Sequence, residues 1–582
     1  MAVLAVLATA GAGCRRSSHM PPKTDGAAVV VAAEATTEPG LTVADEVEPN
    51  DLLANAQPLN PTSALAVAIA GRLVSPPGVK AKDVDLYRIV VPPPAVVVAE
   101  ADGGAQGQPR QRLAIEVRPD VSMSISVDAL DDLGKLLVSA VGTTIGEGEA
   151  IPNLAVIPGT YFVRVKPGTG STAGTTTTTG GRQGSGGAAG SSSRHDADTV
   201  ASARLGPAAY RLTVRLLPFE AGDEVEPNGK GTLANDVAPG ADVAGFLAWR
   251  RDEDWFRLSL AGLPEGSVLS ADLDAPAQVA ATLAVYDSVE HKMIEQHGAR
   301  KGDRVAIRNV RLPSSEPAIF VVVRADVGRN SEARYTLRLR TEEAKADSEL
   351  EPNDDPTHAV PLGDGNFLGY LGPGDVDVYR YTAAMPTELD FEATPPDHVD
   401  LKLEVLGDDG TVLLKVDAGK RREAERLPNI YVSGSVLLRL SSGKGDGNLD
   451  EPYRVTTSSH PITPGAEREP NGTAALATPL PDGATGTGLL YPRGDVDFWQ
   501  TKSPPPPEGS LAVAVRGVPG LALDVRVAGT SGKELARFRV AGDASAPTRV
   551  TPGADGCCLV QIREAGGRGA NPRDRYSLSV AP

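Results

Sequence analysis

The chain has 582 residues, too many for one hydrophobic core and enough for about four domains. Its 41% hydrophobic and 23% charged content is globular, which excludes both a wholly disordered chain and a membrane bundle. With 57 basic against 75 acidic residues the net charge is −18, which argues against nucleic acid or anionic membrane as partner and suits divalent cations. Aromatic residues make up only 4%, so cores must be built from Val, Leu, Ile and Ala, and the 63 glycines and 48 prolines favour turns and short strands.

Residues 1–14 begin with an apolar, small-residue run, MAVLAVLATAGAG. It is shorter than the roughly 20 residues that cross a bilayer as a helix, and it fits a secretion signal ending in small residues. Gly11-Ala12-Gly13-Cys14 resembles the lipobox of bacterial lipoproteins, which implies that Cys14 is lipidated and becomes the new N-terminus. Residues 15–44 are polar and rich in Ala, Pro and Thr, and read as a flexible tether.

From there the chain repeats itself. Glu-x-Glu-Pro-Asn occurs at Glu46-Val47-Glu48-Pro49-Asn50, Glu224-Val225-Glu226-Pro227-Asn228, Glu349-Leu350-Glu351-Pro352-Asn353 and Glu467-Arg468-Glu469-Pro470-Asn471. An Asp-x-Asp follows each, at Asp83/Asp85, Asp252/Asp254, Asp375/Asp377 and Asp495/Asp497. Each copy closes on an alternating run that starts with Tyr210, Tyr335, Tyr453 or Tyr576. The spacing from first Asp to closing Tyr is 83, 78 and 81 residues in the last three copies. It is 127 in the first, which carries a Gly/Ser/Thr tract at 168–204 that reads as an inserted disordered loop.

After each Asp-x-Asp the residue types alternate with period two, the pattern of a half-buried strand. Tyr87, Phe256, Tyr379 and Trp499 fall at one position on one face and are core anchors. Seven or eight short strands in roughly 110 residues predict an all-β fold of four tandem β-sandwiches, at 45–217, 223–341, 347–458 and 466–582.

These motifs resemble the bacterial pre-peptidase C-terminal domain. Its pattern is an acidic Glu-Pro-Asn-Asp opening, a Gly-Asp-x-Asp-aromatic strand, a Pro-Gly-Thr-Tyr strand and a Tyr-x-Leu-x-Val close. The first copy follows it nearly throughout, including Pro158-Gly159-Thr160-Tyr161; the second, with Arg251 before Asp252, departs most. The resemblance implies jelly-roll-like sandwiches, commonly appended to secreted peptidases, some of which bind calcium at the acidic opening. The peptidase itself is absent here.

No Gly-x-Ser-x-Gly elbow, phosphate-binding loop or His-Glu-x-x-His is present, so an enzyme is not expected. His291 and His297 are six apart, wrong for two zinc ligands on one helical face. Arg493-Gly494-Asp495 spells an integrin-binding tripeptide, but Asp495 already belongs to the repeat. The pair Cys557-Cys558 is expected to place one thiol in the core and the other at an exposed edge.

The acidic constellation is the chemistry the sequence repeats. Copy one offers Glu46, Glu48, Asn50, Asp51, Asp83 and Asp85, and copy three Glu349, Glu351, Asn353, Asp354, Asp375 and Asp377. Carboxylates at the entrance to a core strand need hydrogen bonds or a cation, and calcium takes oxygens of this kind in flexible geometry. Two readings stand side by side for these copies: a calcium site, or turn chemistry in which Pro sets φ and Asn/Asp cap backbone amides. In copies two and four Gly229 and Gly472 replace the Asp, and turn chemistry is the expectation. The reading of the whole is an exported, non-catalytic binding or adhesion protein, placed as a lipoprotein at the outer membrane or cell surface, or else periplasmic or secreted. Its expected partner is an extracellular or envelope protein or polysaccharide, with membrane contact only through a lipid. The alternative is an accessory or targeting subunit of a separately encoded secreted hydrolase.

Overall fold

The computed structural model describes residues 41–62, 66–73, 83–93, 111–170, 209–220, 222–501, 509–529, 531–552 and 557–582. The expected signal with Cys14, the tether up to residue 40, and residues 171–204 of the inserted tract lie outside them.

The described residues are all-β, with three single-turn 3-10 helices and no α-helix. None of their helices is long and apolar enough to cross a membrane. The strands form where alternation is clean. Leu511–Arg516 alternates buried and half-buried positions until its exposed last residue, and Asp85–Val91 exposes only Arg88 and Val90. Such segments satisfy their backbone groups with neighbours while one row of side chains leaves water.

In the first repeat one five-stranded sheet runs in the order Leu41–Asp45, Ala66–Arg72, Ala209–Pro218, Gln111–Pro119, Glu149–Val156. The other runs Gln57–Leu59, Asp85–Val91, Gly159–Pro167, Ile125–Leu130, Leu136–Ala140. The second and fourth repeats each have a five-stranded and a four-stranded sheet with corresponding orders. In each of these repeats both sheets contribute to one core, as Ile69 and Leu212 do from one side and Tyr87 and Val163 from the other. Four separate cores result, within residues 59–216, 243–339, 360–455 and 480–580.

The third repeat differs. Val376–Thr394 and Glu425–Ser442 are 19 and 18 residues long, and they join all seven strands of the repeat into one hydrogen-bonded sheet. Their pairing is interrupted between Ala383 and Thr387, where Pro386 cannot donate to a ladder and Gly434 opposite has φ 93°. The strands turn there and continue.

The cysteine pair corrects the sequence reading. Cys557 and Cys558 are both buried in the fourth core and are joined to each other as a disulfide. A bond between neighbours draws both sulfurs to one side, so the alternation of strand faces does not apply.

Candidate metal centre

Each Glu-x-Glu-Pro-Asn segment lies beside the start of its Asp-x-Asp strand, with a cis Glu-Pro peptide. The Asn carbonyl accepts the amide of the residue directly after the second Asp: Leu86 N to Asn50 O is 3.1 Å, Trp255 N to Asn228 O 3.2 Å, Val378 N to Asn353 O 3.0 Å and Phe498 N to Asn471 O 3.2 Å. In the same segments the Asn amide donates back to the second Glu, at 2.9 Å (Glu48), 2.8 Å (Glu226), 3.0 Å (Glu351) and 3.0 Å (Glu469). These bonds fold the opening over the strand entrance.

The result is the same cluster four times. Carboxylate oxygens of Glu46, Glu48 and Asp85 lie within 4.8 Å of one another, as do those of Glu224, Glu226 and Asp254, of Glu349, Glu351 and Asp377, and of Glu467, Glu469 and Asp497. The structure therefore assembles the cluster in copies two and four as in copies one and three. Among the residues named from sequence, Asp51 and Asp354 are exposed, while Asp83 and Asp375 are half-buried just outside the strand. Asp375 accepts the amides of Gly372 (2.8 Å) and Val376 (2.9 Å), so this aspartate serves the turn.

A third element completes the site. The closing tyrosine's hydroxyl donates to the cluster aspartate: Tyr210 to Asp85, Tyr335 to Asp254 (2.8 Å) and Tyr453 to Asp377 (2.7 Å). In the fourth repeat Tyr576 instead accepts from Trp499 Nε1 at 2.7 Å. Opposite each tyrosine in the sheet stands a glycine: Gly71, Gly245, Gly369 and Gly488. The next residue's amide donates to the first Glu, from Arg72 (2.7 Å), Phe246 (3.3 Å), Tyr370 (2.5 Å) and Leu489 (2.6 Å). Sequence reasoning saw these tyrosines only as strand starts. The signal was available, because the anchor position varies among Tyr, Phe and Trp while the closing position keeps its hydroxyl four times.

The donor set fits a hard cation. Asn50 Oδ1 and Asp85 Oδ1 are buried without any hydrogen-bond partner, and so are the corresponding Oδ1 pairs of Asn228/Asp254, Asn353/Asp377 and Asn471/Asp497. An orphaned buried acceptor costs about 1–3 kcal/mol. A proton on one carboxyl satisfies a single acceptor, whereas a cation serves all the converging oxygens together. Carboxylates with an amide oxygen are calcium's preferred ligands. All four clusters could hold a metal ion.

The electrostatics agree. Burial raises Asp85 to about 9, with Glu46 and Asp83 adding to it and the Tyr210 hydrogen bond opposing. Burial raises Glu226 and Glu469 to about 7 against the amides of Asn228 and Asn471. Burial, reinforced by neighbouring carboxylates, holds Asp254, Asp377 and Asp497 well above the usual range. Without a positive charge the clusters resist ionisation.

No protein-family model and no curated protein matches the chain. Among solved structures it is similar to a triple jelly-roll protein of an archaeal virus turret assembly, at 11% identity and a TM-score of 0.15, over 60% of this chain and 84% of that one. The BSP domain of a biofilm-associated protein is similar at 11% identity and a TM-score of 0.11, over 81% and 90% of the two chains. The SGBP-B protein of a Bacteroides ovatus mixed-linkage glucan utilization locus, solved with a mixed-linkage heptasaccharide, is similar at 10% identity and a TM-score of 0.11, over 86% and 100%. Likeness at this level carries no further argument.

Proposed function

We propose that the chain is an exported, non-catalytic binding protein displayed at the cell surface, made of four jelly-roll-like β-sandwich modules of the pre-peptidase C-terminal type. Each module holds one calcium ion at its acidic opening. The observation that carries the calcium reading is the fourfold recurrence of an Asn and an Asp oxygen buried without partners inside one carboxylate cluster. The ion would be held by the two Glu, the Asn and the second Asp of each copy, and it would supply charge neutralisation that ties opening, strand entrance and closing strand together. The lipid on Cys14 anchors the string. Four modules in a row give reach and repeated contacts toward an extracellular or envelope protein or polysaccharide.

The test is calorimetric titration of the mature full-length chain, stripped with chelator, against calcium and against magnesium. Four equivalents of calcium are expected, with magnesium weaker because it demands small, rigid octahedral sites. Absence of calcium uptake sinks the metal reading. Retention of the calcium-loaded chain on immobilised envelope polymers tests the binding role, and an unretained chain removes it.

A further inference from the structure

Three of the four openings touch the repeat before them. Glu226 forms an isolated parallel bridge with Leu154, Glu351 with Val310, and Glu469 with Ile430. The backbone bonds are the same each time. Glu226 N donates to Asn153 O (3.2 Å) and Ala155 N to Glu226 O (2.8 Å). Glu351 N to Asn309 O is 3.0 Å and Arg311 N to Glu351 O 2.9 Å. Glu469 N to Asn429 O is 3.2 Å and Tyr431 N to Glu469 O 2.7 Å.

An asparagine stands immediately before each bridge, in Ile151-Pro152-Asn153-Leu154, Ile307-Arg308-Asn309-Val310 and Leu427-Pro428-Asn429-Ile430. Each lies in a β-bulge, where the register shifts between Leu113 and Ile115, Leu269 and Ala271, or Leu389 and Phe391. Asn309 and Asn429 have φ 51° and 61°, a left-handed conformation that Asn tolerates better than most side chains. The carboxamides reach across. Asn153 Nδ2 donates to Glu224 O (3.2 Å) and to the Glu224 carboxylate, Asn429 Nδ2 to Glu467 Oε1 (2.6 Å), and Asn309 Nδ2 to Ser348 Oγ (3.2 Å). Larger contacts surround them: Trp249 packs on the first core, Tyr491 on the third, and the Arg468 guanidinium lies 4.7 Å over the Tyr431 ring.

The fourth repeat lacks the device. Aligning Val550-Thr551-Pro552-Gly553 with Val156-Ile157-Pro158-Gly159 puts Pro547 where Asn153 stands. There Leu511–Arg516 and Ser545–Val550 pair without a register shift. The ends also differ in exposure. Glu226, Glu351 and Glu469 are 4%, 4% and 2% exposed, whereas Glu48, which forms no such bridge among the described residues, is exposed.

We infer that the Asn-bearing bulge is a docking surface whose partner is a Glu-x-Glu-Pro opening, and that it locks successive repeats into a rigid head-to-tail row. The fourth repeat offers no such socket, because Pro547 stands where the asparagine would be. This goes beyond the proposed function and rests on strand bridges and amide hydrogen bonds rather than on a bound cation.

The test is a spin-label distance measurement in the full chain, with Val412→Cys and Lys533→Cys reporting across the junction of repeats three and four. Cys14 is replaced by Ser in every sample. Asn429→Gly keeps the left-handed backbone available while deleting the carboxamide, and Asn429→Ala adds backbone strain. The parent should give one narrow distance, and both variants should lose it for a broad distribution while retaining the parent's circular dichroism. A broad distance in the parent, or an unchanged narrow one in Asn429→Gly, overturns the inference. Each sample is measured with calcium and with chelator. A parent distance that stays narrow in chelator supports the lock whether or not calcium binds, so the two readings can fail separately.

Discussion

Gly369 lies directly opposite Tyr453 in the third repeat, and a Cβ on Gly369 would sit 2.3 Å from the tyrosine's ring carbon and hydroxyl and 2.4 Å from Glu349 Oε2. The ring lies over bare backbone, which lets its hydroxyl reach Asp377 at 2.7 Å. The same close approach recurs at Gly71, Gly245 and Gly488. In an ordinary strand Gly→Ala is neutral or stabilising, because Gly has more freedom to lose on folding. Here Gly369→Ala forces the ring and a buried carboxylate aside. The expected loss is about 1–3 kcal/mol, the scale of core overpacking. Gly363→Ala is the control, since a Cβ there meets nothing within 4 Å. Calorimetric melting of the full chain, in which one of the transitions should fall, decides it; equal behaviour of the two variants refutes the packing argument.

Tyr453→Phe removes the hydroxyl and leaves the ring. Asp377 Oδ2 then loses its donor, at 2.7 Å in the parent. A buried acceptor stripped of its partner costs about 1–3 kcal/mol, so the chelator-treated variant should melt lower. Calcium should recover part of that loss, because a cation serves the same oxygens. A Phe variant as stable as the parent in chelator would show that the hydroxyl is only strand decoration.

The repeat unit and the core anchors were legible because they recur at fixed spacing in a chain poor in aromatics. Tyr87, Phe256, Tyr379 and Trp499 are all fully buried. The ranking of copies one and three above two and four rested on Asp51 and Asp354, which are exposed and are not among the three carboxylates that cluster in every copy. The bulge asparagines were missed because each differs from the rest of its strand only by being an amide before an aliphatic residue, with no acidic or aromatic marker. The long strands of the third repeat were hidden because Pro386 reads as a strand end, whereas it marks a break in pairing within a strand that goes on.

pH dependence should change sign with calcium. In the cation-free protein the folded-state pKa is raised, to about 9 for Asp85, about 7 for Glu226 and Glu469, and about 6 for Asp375. A raised acid binds its proton more tightly folded than unfolded. Its stabilisation is complete below the unfolded value near 4 and is lost as pH climbs through the folded value. In chelator, melting temperature should therefore decline from pH 5 to pH 9. Calcium needs the carboxylates ionised, so its affinity should rise over the same interval. Melting curves at successive pH values, with and without calcium, read both trends. A chelated protein that gains stability toward pH 9 would contradict the buried, charge-poor clusters seen here.

Release of calcium should separate the first site from the other three. Glu48 is exposed, whereas Glu226, Glu351 and Glu469 are covered by the repeat before them. Among the described residues no strand bridge covers the first opening, but a cation at each of the others leaves past a strand bridge and, at two junctions, an Asn-carboxylate bond. Mixing the loaded chain with excess chelator should give one fast equivalent and three slow ones. Asp85→Asn should remove the fast phase alone, since it takes a charge from the first cluster, and Asp254→Asn should remove one slow equivalent. Asn429→Gly, which loosens the last junction, should accelerate one slow equivalent without changing the total. Calcium bound only to the folded state stabilises it by about 2.7 kcal/mol at a hundredfold excess over Kd, so the same variants can be checked by melting temperature. A single release rate for all equivalents, or a fast phase that survives Asp85→Asn, would show that the junctions do not guard the sites.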